Sequence, residues 1–374
     1  MRTVRTPSVA MVSFDFGEVC VSIANALSRS ADVTLILPGC QLEPLAHDVD
    51  PSVCVHTFVK PRLRQPLRQL MMCRTVLRTL ARCEPDVIHL QQGHLWFNLV
   101  GLPLLGRRPL VVTIHDAAAH PGDRGGRRTP QAVMNLAFRR ADHLIVHAER
   151  LRAAVVRRHR MPPATVHVIP HVAIGSANGR PAGEDDGRTV LFFGRIWPYK
   201  GLDHLIRAEP LISARVTDVR FVIAGRGEDF ARYRAMMRDP DRFTVINEFV
   251  SSERRAQLFA EAAVVVLPYV EASQSGVIPI AYAHEKPVVA TSVGGLPEAV
   301  EDGRTGFVVP PRDERALADA VVQLLEDRRL RRAMGAAGRR KLEDEWSPAK
   351  VAEDTLRVYD LALGREASLV AAAP

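Results

Sequence analysis

The sequence of 374 residues lacks the features of disulfide-bonded and membrane-spanning chains. Its five cysteines are an odd number, and none lies in the Cys-x-x-Cys spacing of zinc and redox sites, which excludes a disulfide scaffold. We expect them to be reduced thiols of a cytoplasmic protein. The longest apolar stretch, residues 95–106, is interrupted by Asn98 and Pro103, so no run reaches the roughly 18 residues of a membrane span.

The remaining composition is that of a globular protein. Hydrophobic residues make up 47% of the chain and the net charge is +8, which excludes disorder as the main state. At roughly 150 residues per domain, the length predicts two domains. Asp15 and Glu18 interrupt the apolar segment that follows the basic start, so this segment is predicted to be a strand and not a signal peptide.

Short apolar segments alternate with helical patterns along the whole chain, which predicts an α/β fold with two doubly wound, parallel, Rossmann-like sheets. The predicted strands are 9–16, 32–38, 53–59, 86–90, 110–115, 143–146, 167–169, 189–193, 220–224, 244–246, 263–268, 288–290 and 307–309. Predicted helices follow Gly17 and cover about 66–82, 130–140, 148–158 and 313–325. Because residues 175–187 lose all apolar periodicity, they read as an interdomain linker.

The segment 190–201 places two cations around a proline-containing loop. A buried strand ends at Gly194, and Arg195 and Lys200 follow it, with Lys200 just before Gly201. A forked guanidinium and a flexible ammonium aimed at one place suit a diphosphate, which needs several charge-assisted donors. Taken alone, however, loop cations usually belong to a solvated surface.

A second segment about 75 residues further on supplies the context. The buried strand ending at Pro268 is followed by a loop with Glu271 and by Ser275-Gly276-Val277 at the start of a helical stretch. Small residues at a helix start leave backbone N–H groups free to hold phosphate oxygens. A carboxylate at Glu271 can bind sugar hydroxyls or stabilise positive charge on a sugar carbon, although a lone loop glutamate is by default merely exposed.

Taken together, the motifs resemble a known family. Segments 192–201, 221–227, 271–279, 286–298 and 301–310 resemble the nucleotide-sugar half of the retaining glycosyltransferases of family 4, which have the GT-B fold. Segments 85–90, 111–116, 141–147 and 168–171 are similar to the acceptor half of the same family. The resemblance covers about residues 8–365, and its specificity lies in the set of motifs and not in any one of them.

The resemblance implies a role for each matching position. Arg195 and Lys200 fall on the pair that binds the donor diphosphate, and Ser275, Gly276 and Val277 fall on the phosphate-binding helix start. Glu271 falls near the first glutamate of a Glu-x7-Glu motif, His115 on a histidine beside the donor sugar, and Gly17 on the glycine-rich first turn.

The chain departs from the family pattern at two positions. Ile280 occupies the place of the second glutamate, which normally binds ribose hydroxyls, so that contact is lost or supplied elsewhere. Glu298 is a candidate substitute, with a helix-start or surface carboxylate as the competing interpretation. Gly17-Glu18 stands where a glycine pair is common, which puts the acceptor-side geometry in question.

His115 has two interpretations. A histidine at a strand end is more often structural than catalytic, but His115-Asp116 ends a predicted strand at its carboxyl edge, where ligands of such sheets bind. We therefore favour a functional role for His115. His120, His143 and His147 are assigned structural roles.

Positive charge is concentrated in the first half of the chain. Residues 1–172 have a net charge of +10 and residues 173–374 a net charge of −2, so the first half is expected to meet an anionic partner. On the predicted helix 66–82, one face carries Arg68, Arg74, Arg78 and Arg82, with Arg64 in line with them, and the opposite face carries Leu70, Cys73, Val76, Leu77, Leu80 and Ala81.

Three interpretations of these arginines remain open: an ordinary solvated face, attraction to anionic lipid headgroups, and attraction to a phosphate-bearing acceptor. Nucleic acid is not expected, because no interleaved aromatics accompany the charge. The patch is extended by Arg124, Arg127, Arg128, Arg157, Arg158 and Arg160.

The resulting hypothesis is a retaining, metal-independent glycosyltransferase of polysaccharide or glycolipid biosynthesis, cytoplasmic or peripheral at the inner membrane face. It transfers a sugar from a nucleotide-sugar donor to a hydroxyl acceptor, and needs no cofactor. The alternative is a non-catalytic nucleotide-sugar-binding or partner subunit. Predicted boundaries are an acceptor domain 1–172, a linker 173–187, a donor domain 188–345, a helix 346–365 that returns to the first domain, and a disordered tail 366–374.

Overall fold

A computed structural model describes residues 6–116, 129–172, 185–227 and 229–365, which form two compact units. Residues 6–116, 129–172 and 347–365 belong to the first unit, and residues 185–227 and 229–346 to the second. Most of the predicted linker, all of the predicted tail, His120, Arg124, Arg127 and Arg128 lie outside the described residues.

The strands and α-helices are numbered in chain order. The strands are β1 (Ser8–Ser13), β2 (Asp32–Pro38), β3 (Cys54–Phe58), β4 (Val87–Gln91), β5 (Leu110–Ile114), β6 (His143–Val146), β7 (Val166–Val168), β8 (Thr189–Phe193), β9 (Arg220–Ala224), β10 (Phe243–Ile246), β11 (Val264–Leu267), β12 (Val288–Thr291) and β13 (Gly306–Val309). The helices are α1 (Gly17–Leu27), α2 (Gly39–Leu42), α3 (Pro66–Cys83), α4 (Gln131–Arg140), α5 (Glu149–His159), α6 (Leu202–Ser213), α7 (Ala231–Arg234), α8 (Ser252–Glu261), α9 (Val277–Ala283), α10 (Leu296–Ala299), α11 (Glu314–Glu326), α12 (Arg328–Glu345) and α13 (Pro348–Ala362).

Each unit is built on one sheet whose strands pair in parallel. The order is β3-β2-β1-β4-β5-β6-β7 in the first unit and β10-β9-β8-β11-β12-β13 in the second. The strand order reverses between β1 and β4 and between β8 and β11, and doubly wound sheets bind ligands outside the carboxyl ends of strands at such a point. The predicted α/β class with two Rossmann-like sheets is confirmed.

The central strands are continuous apolar runs because helices cover both faces of each sheet. Ala10, Met11 and Val12 of β1 are fully buried, and so is the whole of β11. The first strand ends three residues earlier than predicted, at Ser13, because the Ser13 hydroxyl accepts a hydrogen bond from the Phe16 N–H at 3.1 Å and starts a turn.

Side-chain caps fix where the long helices of the second unit begin. The Asp313 carboxylate accepts a hydrogen bond from the Ala316 N–H, and the Asp327 carboxylate accepts one from the Leu330 N–H, each at 2.9 Å. Such N-caps satisfy backbone donors that the first helical turn leaves without partners. They set the starts of α11 and α12.

The last helix belongs to the first unit. α13 packs against α1, and the Tyr359 ring lies edge-on to the His89 ring with 5.6 Å between their centroids. The chain therefore returns to the first sheet after it has completed the second.

The buried face of α3 differs from the expected one. Met72, Cys73, Val76 and Leu80 are buried, whereas Leu70 and Ala81, predicted to face the sheet, are exposed. The buried face of the helix consists of residues 69, 72, 73, 76 and 80, which follow the three- and four-residue spacing of one helical face. Apolar side chains therefore stand among the exposed arginines.

Candidate functional site

The loops after β8 and β11 lie at the point where the strand order of the second sheet reverses. Arg195 and Lys200 are in the first loop, and Glu271 and Ser275 are in the second. Because β8 and β11 are hydrogen-bonded neighbours, their carboxyl ends bring the two loops together. This edge is the expected ligand-binding position of the sheet.

The loop after β8 is held by a short 3₁₀ turn, Pro198–Lys200. The Arg195 guanidinium donates a hydrogen bond to the Tyr199 hydroxyl at 3.1 Å. The carbonyl of the buried Tyr199 accepts a hydrogen bond from the Val270 N–H at 2.9 Å, which joins this loop to the one after β11. Arg195 is therefore an exposed side chain on a loop that hydrogen bonds hold in place.

Tyr269 connects Lys200 with Ser275. The Lys200 ammonium lies 3.7 Å from the centroid of the Tyr269 ring, and the Tyr269 hydroxyl lies 3.1 Å from Ser275 Oγ. Burial raises the pKa of Tyr269 above its usual value, while the nearby positive charge of Arg195 acts in the opposite direction. The structure thus joins Lys200 and Ser275 through the buried Tyr269, with the positive charge of Arg195 nearby.

Gly201 makes this arrangement sterically feasible. Its φ of 65° lies in the left-handed region, and a Cβ there would be 1.9 Å from the Pro268 carbonyl oxygen. Only glycine allows such an approach. Gly201 therefore holds the Lys200 loop directly against the end of β11.

The turn from Ser275 to Val277 has its own capping contact. Ser275 is 7% exposed, and its Oγ accepts a hydrogen bond from the Val277 N–H at 3.3 Å. Gly276 is the N-cap of α9, which is only seven residues long and contains Pro279. Ile280, at the place of the second family glutamate, is 5% exposed and packs in the core of the second unit.

Glu271 and Glu298 are both exposed, on segments that contact each other through the backbone. The Gly295 N–H donates to the Ser273 carbonyl at 3.0 Å, which joins the start of α10 to the Glu271 loop. Glu298 lies in the first turn of α10. The loop after β11 therefore carries one carboxylate and borders the short helix that carries the other.

Gly17 and His115 belong to the first unit. Gly17 begins α1 after β1, where its N–H donates to Gln41 Oε1 at 3.2 Å. A Cβ on Gly17 would lie 2.9 Å from the Gln41 carbonyl oxygen. The packing against Gln41 is itself a reason for glycine at this position.

His115 follows β5 and is 1% exposed. Its ring stacks on the Phe16 ring with 3.9 Å between centroids. Its Nε2 lies 3.0 Å from Gln91 Oε1, and its Nδ1 lies 3.2 Å from His147 Nε2. Both ring nitrogens therefore have partners inside the first unit.

His147, assigned a structural role from the sequence, is a direct neighbour of His115. The two follow adjacent strands in register, since Ile114 of β5 pairs with Val146 of β6. His143, by contrast, pairs with His167 at 2.9 Å. The sequence feature that indicates this contact is that His115 directly follows β5 and His147 directly follows β6. It can be used only when β5 and β6 are known to be neighbours in the sheet.

Burial keeps this histidine cluster neutral. It lowers the pKa of His147 to about 3 and that of His115 well below its usual value, and a positive charge on the nearby His171 would act in the same direction. Within the described part of the chain, no group of three or more His, Cys, Asp or Glu side chains is arranged to hold a metal ion.

Comparison with known proteins places the chain in a family. The family model described as Glycosyltransferase Family 4 matches residues 17–172, and the one described as Glycosyl transferases group 1 matches residues 187–327. The chain is 32% identical to the alpha-D-kanosaminyltransferase of Streptomyces kanamyceticus over 277 residues, 69% of this chain and 70% of that protein. It is 30% identical to the D-inositol 3-phosphate glycosyltransferase of Pseudarthrobacter chlorophenolicus over 368 residues, 89% of this chain and 86% of that protein.

Solved structures share the fold. A sucrose-phosphate synthase from Thermosynechococcus elongatus superposes with a TM-score of 0.76 at 19% identity, over 96% of this chain and all of that chain (100%). HepE of Anabaena, in complex with UDP and glucose, gives a TM-score of 0.73 at 19% identity, with 95% and 100% coverage.

The two sheets and these structural neighbours define an α/β fold of the GT-B class. The chain belongs to glycosyltransferase family 4 and is a glycosyl-transferring enzyme. Among the described helices, none is both long and apolar enough to cross a bilayer.

Proposed function

We propose that the protein transfers a sugar from a nucleoside diphosphate sugar to a hydroxyl acceptor, with retained anomeric configuration and without a metal ion. The observation that carries the proposal is that Lys200 and Ser275 both contact Tyr269, while Arg195, in the same loop as Lys200, hydrogen-bonds to Tyr199. Two cations and a hydroxyl at a strand-order reversal form a site for a diphosphate. The nucleoside diphosphate binds there, on the second unit.

The cations act on the leaving group. As the bond between the anomeric carbon and the phosphate oxygen breaks, its electron pair stays on the diphosphate, and Arg195 and Lys200 stabilise the added negative charge. The acceptor oxygen forms the new bond to the same carbon, and its proton passes to the departing phosphate. This charge compensation is the task that a divalent metal performs in other transferases.

Glu271 and His115 act on the sugar in this proposal. The exposed Glu271 carboxylate binds sugar hydroxyls and stabilises the oxocarbenium-like charge. His115 is assigned to the sugar by the family resemblance, and Gly17 begins α1 directly after Phe16, whose ring stacks on that of His115. Gly276, Val277 and Glu298 complete the donor-binding set. Glu298 supplies the carboxylate for the ribose, because the family glutamate that would do so is replaced by Ile280 in this chain.

The similar proteins guide the choice of probes. Two relatives are an alpha-D-kanosaminyltransferase and a D-inositol 3-phosphate glycosyltransferase, and one structural neighbour was solved in complex with UDP-glucose. UDP-glucose is therefore the first donor to test. UDP, GDP and ADP forms of common hexoses complete the panel, and the acceptor is a glycan, a glycolipid or a small hydroxyl compound.

The test is slow donor hydrolysis in the absence of acceptor. We expect one donor to release nucleoside diphosphate, with the rate unchanged by EDTA and reduced at least about 100-fold in Lys200→Ala, the size of effect seen when a charge-stabilising donor is removed. Lys350→Ala, at a surface lysine of α13, is the matched control. Turnover that survives Lys200→Ala or disappears with EDTA contradicts the proposal, and nucleotide binding without turnover identifies a non-catalytic subunit.

We further propose that the first unit binds an anionic membrane surface at the cytoplasmic face. Helix α3 exposes Leu67 (76%), Leu70 (43%) and Met71 (67%). Arg68, Arg74, Arg78 and Arg82 are exposed on the same helix, which has no acidic residue. Apolar and cationic side chains on one amphipathic helix match the interface of a bilayer with anionic headgroups.

Vesicle sedimentation tests this surface. The protein should pellet with phosphatidylglycerol vesicles at low salt, pellet less at about 0.5 M salt, and stay in solution with phosphatidylcholine vesicles, because salt screens charges within a few ångströms. A variant with Arg68→Gln, Arg74→Gln and Arg78→Gln should lose binding, whereas Arg329→Gln with Arg332→Gln on α12 should keep it. Equal pelleting of all three proteins, or none with anionic vesicles, rules the surface out.

A further inference from the structure

A chain of hydrogen bonds crosses the carboxyl edge of the first sheet and passes through His115. It runs from the Tyr359 hydroxyl to His89 Nδ1 (2.7 Å), from His89 Nε2 to Thr113 Oγ1 (2.8 Å), and from the Gln91 amide to His115 and His147. It ends at the Ile169 carbonyl, 2.8 Å from His147 Nδ1. Strand β4 contains His89 and Gln91, and helix α13 contains Tyr359. Strand β5 contains Thr113 and directly precedes His115, and strand β6 directly precedes His147.

The Ile169 carbonyl sets the direction of this chain, because a carbonyl oxygen can only accept. His147 must therefore carry a proton on Nδ1. Since burial lowers the pKa of His147 to about 3, the ring is neutral near pH 7 and its Nε2 is an acceptor. The contact between His147 Nε2 and His115 Nδ1 at 3.2 Å then requires the proton on His115 Nδ1.

The same argument continues through His115. Burial lowers the pKa of His115 well below its usual value, and a positive charge on a neighbouring histidine would lower it further, so this ring is also neutral and its Nε2 is an acceptor. Its partner there is the Gln91 side-chain amide. A half turn about Cγ–Cδ exchanges the amide nitrogen and oxygen, so Gln91 can offer His115 either a donor or an acceptor.

Because His115 is neutral and its Nε2 is an acceptor, the Gln91 amide must present its N–H group to that nitrogen. With the Gln91 nitrogen toward His115 Nε2, the Gln91 oxygen faces His89 Nε2, which lies 3.4 Å from the other end of the amide. His89 then donates from Nε2 to Thr113 and Gln91 and accepts at Nδ1 from the Tyr359 hydroxyl. With the Gln91 oxygen toward His115 instead, the His115–His147 pair needs an extra proton and carries one positive charge.

We propose that His147 is a positioning residue that holds His115 as the Nδ1–H tautomer, with its Nε2 as an acceptor toward the Gln91 amide N–H. The charged and titratable groups around the pair are His89 from β4, His171 after β7, Asp116 after β5 and Glu18 from α1. The effect of His147 on turnover rests on the proposed function, in which His115 orients the donor sugar. The tautomer itself does not depend on that function.

The direct test is a long-range ¹H–¹⁵N spectrum of the full chain labelled with ¹⁵N-histidine at pH 7.5, since protonated and unprotonated ring nitrogens give well-separated ¹⁵N shifts. The His115 signals are assigned by their loss in His115→Gln. We expect a neutral ring with its proton on Nδ1. A proton on Nε2, or on both nitrogens, overturns the proposal in the wild-type protein, so the result does not depend on a variant folding.

Two variants separate positioning from packing. His147→Gln retains a side-chain acceptor and should keep the Nδ1–H tautomer. His147→Leu removes the acceptor, so His115 should change to the Nε2–H tautomer with the Gln91 oxygen as its new acceptor. An unchanged tautomer in a folded His147→Leu protein contradicts the proposal.

Turnover is measured on the same proteins with the donor-hydrolysis assay. His147→Leu should lower kcat about tenfold with little change in KM, and His147→Gln should restore it. A changed tautomer with unchanged kcat leaves the positioning of His115 established and refutes its proposed role on the sugar. Hydrolysis absent from the wild type refutes the proposed function alone.

Discussion

The Lys200 ammonium lies over the ring of Tyr269, 3.7 Å from its centroid. A cation in this position is attracted by the electron-rich face of the ring, with a strength of about 0.5 to 2 kcal/mol that rises as water is removed. The hydroxyl of the same tyrosine lies 3.1 Å from Ser275 Oγ. Tyr269 therefore holds two members of the candidate diphosphate site through different parts of one side chain.

Substitution at Tyr269 separates these two contacts. Tyr269→Phe keeps the ring under Lys200 and loses the hydroxyl contact, so UDP affinity should fall about two- to fivefold. Tyr269→Leu also loses the ring, which should weaken UDP a further two- to thirtyfold. Calorimetric titration with UDP, the nucleotide in the HepE complexes, measures both.

The control for Tyr269 is Tyr233→Phe on α7. The buried Tyr233 also has a cation over its ring, with Arg232 at 4.4 Å, and its hydroxyl accepts a hydrogen bond from the same arginine. This variant should lose some stability and keep its UDP affinity. Equal UDP affinities for Tyr269→Phe and Tyr269→Leu would show that the ring does not position Lys200.

Gly201 and Gly303 offer a matched pair of alanine substitutions. Both have a positive φ, 65° and 73°, but a Cβ on Gly201 meets the Pro268 carbonyl at 1.9 Å while a Cβ on Gly303 meets nothing within 4 Å. Gly303→Ala should cost about 1 to 2 kcal/mol of unfolding free energy, from backbone strain alone. Gly201→Ala should cost at least about 3 kcal/mol, because the loop must also move.

Nucleotide affinity adds a second readout to this pair. Because the displaced loop carries Lys200, Gly201→Ala should weaken UDP as well as lower the melting temperature. Gly303→Ala should leave UDP affinity unchanged. Similar melting temperatures for the two variants would mean that the contact between Gly201 and Pro268 is not tight in solution.

The buried ion pair between Asp185 and Arg331 predicts a large effect on stability. Arg331 is 3% exposed, and its guanidinium donates to Asp185 Oδ1 at 2.7 and 3.1 Å. Asp185→Ala leaves a buried charge without its carboxylate and should cost about 3 to 5 kcal/mol. Removing both charges, with Asp185→Ala and Arg331→Met together, should cost less than the single change.

An exposed pair of the same length is the control. Arg188 and Asp218 also lie 2.7 Å apart, but their side chains are 53% and 49% exposed. Arg188→Ala should change the unfolding free energy by about 1 kcal/mol or less, because water screens the pair. Urea unfolding of the wild type, the two single variants and the double variant measures how burial changes the contribution of an ion pair of constant length. Equal losses of unfolding free energy in Asp185→Ala and Arg188→Ala would contradict the argument.

The fold could be predicted because buried parallel strands are continuous apolar runs bounded by turn residues. β2, β6, β8 and β9 have the predicted bounds, and the other strands differ by one to three residues at an end, as β1 does where the Ser13 side chain ends the ladder. Helix faces were less predictable. Leu70 is apolar and lies near the buried seam of α3, yet it is 43% exposed, because the neighbouring strands decide which part of an apolar face is covered.

The polar and charged residues of the candidate site could be predicted from the sequence, but the residues that position them could not. Arg195, Lys200 and Ser275 lie in motifs of recognisable spacing, whereas Tyr269 reads in the sequence as one more aromatic residue after a strand. His147 was assigned a structural role, because its contact with His115 follows from the adjacency of β5 and β6. Contacts between segments far apart in sequence depend on strand order and side-chain direction, which local patterns do not contain.

Acid should destabilise the protein well above the range where carboxylates titrate. Burial lowers the pKa of His89 to about 3, so in the folded state this ring stays neutral down to that pH. In the unfolded chain the pKa is about 6.5, so below pH 6.5 the unfolded state binds the proton that the folded state excludes. The stability that His89 contributes is therefore complete above pH 6.5 and is lost as the pH falls toward 3.

Between pH 6.5 and pH 5, His89 should contribute a loss of about 2 kcal/mol, at roughly 1.4 kcal/mol per pH unit. The unfolding free energy of His89→Gln, measured in urea at both pH values, should fall by that much less than the wild type's. If His89→Gln and the wild type lose equal stability over this interval, His89 is not held neutral by burial.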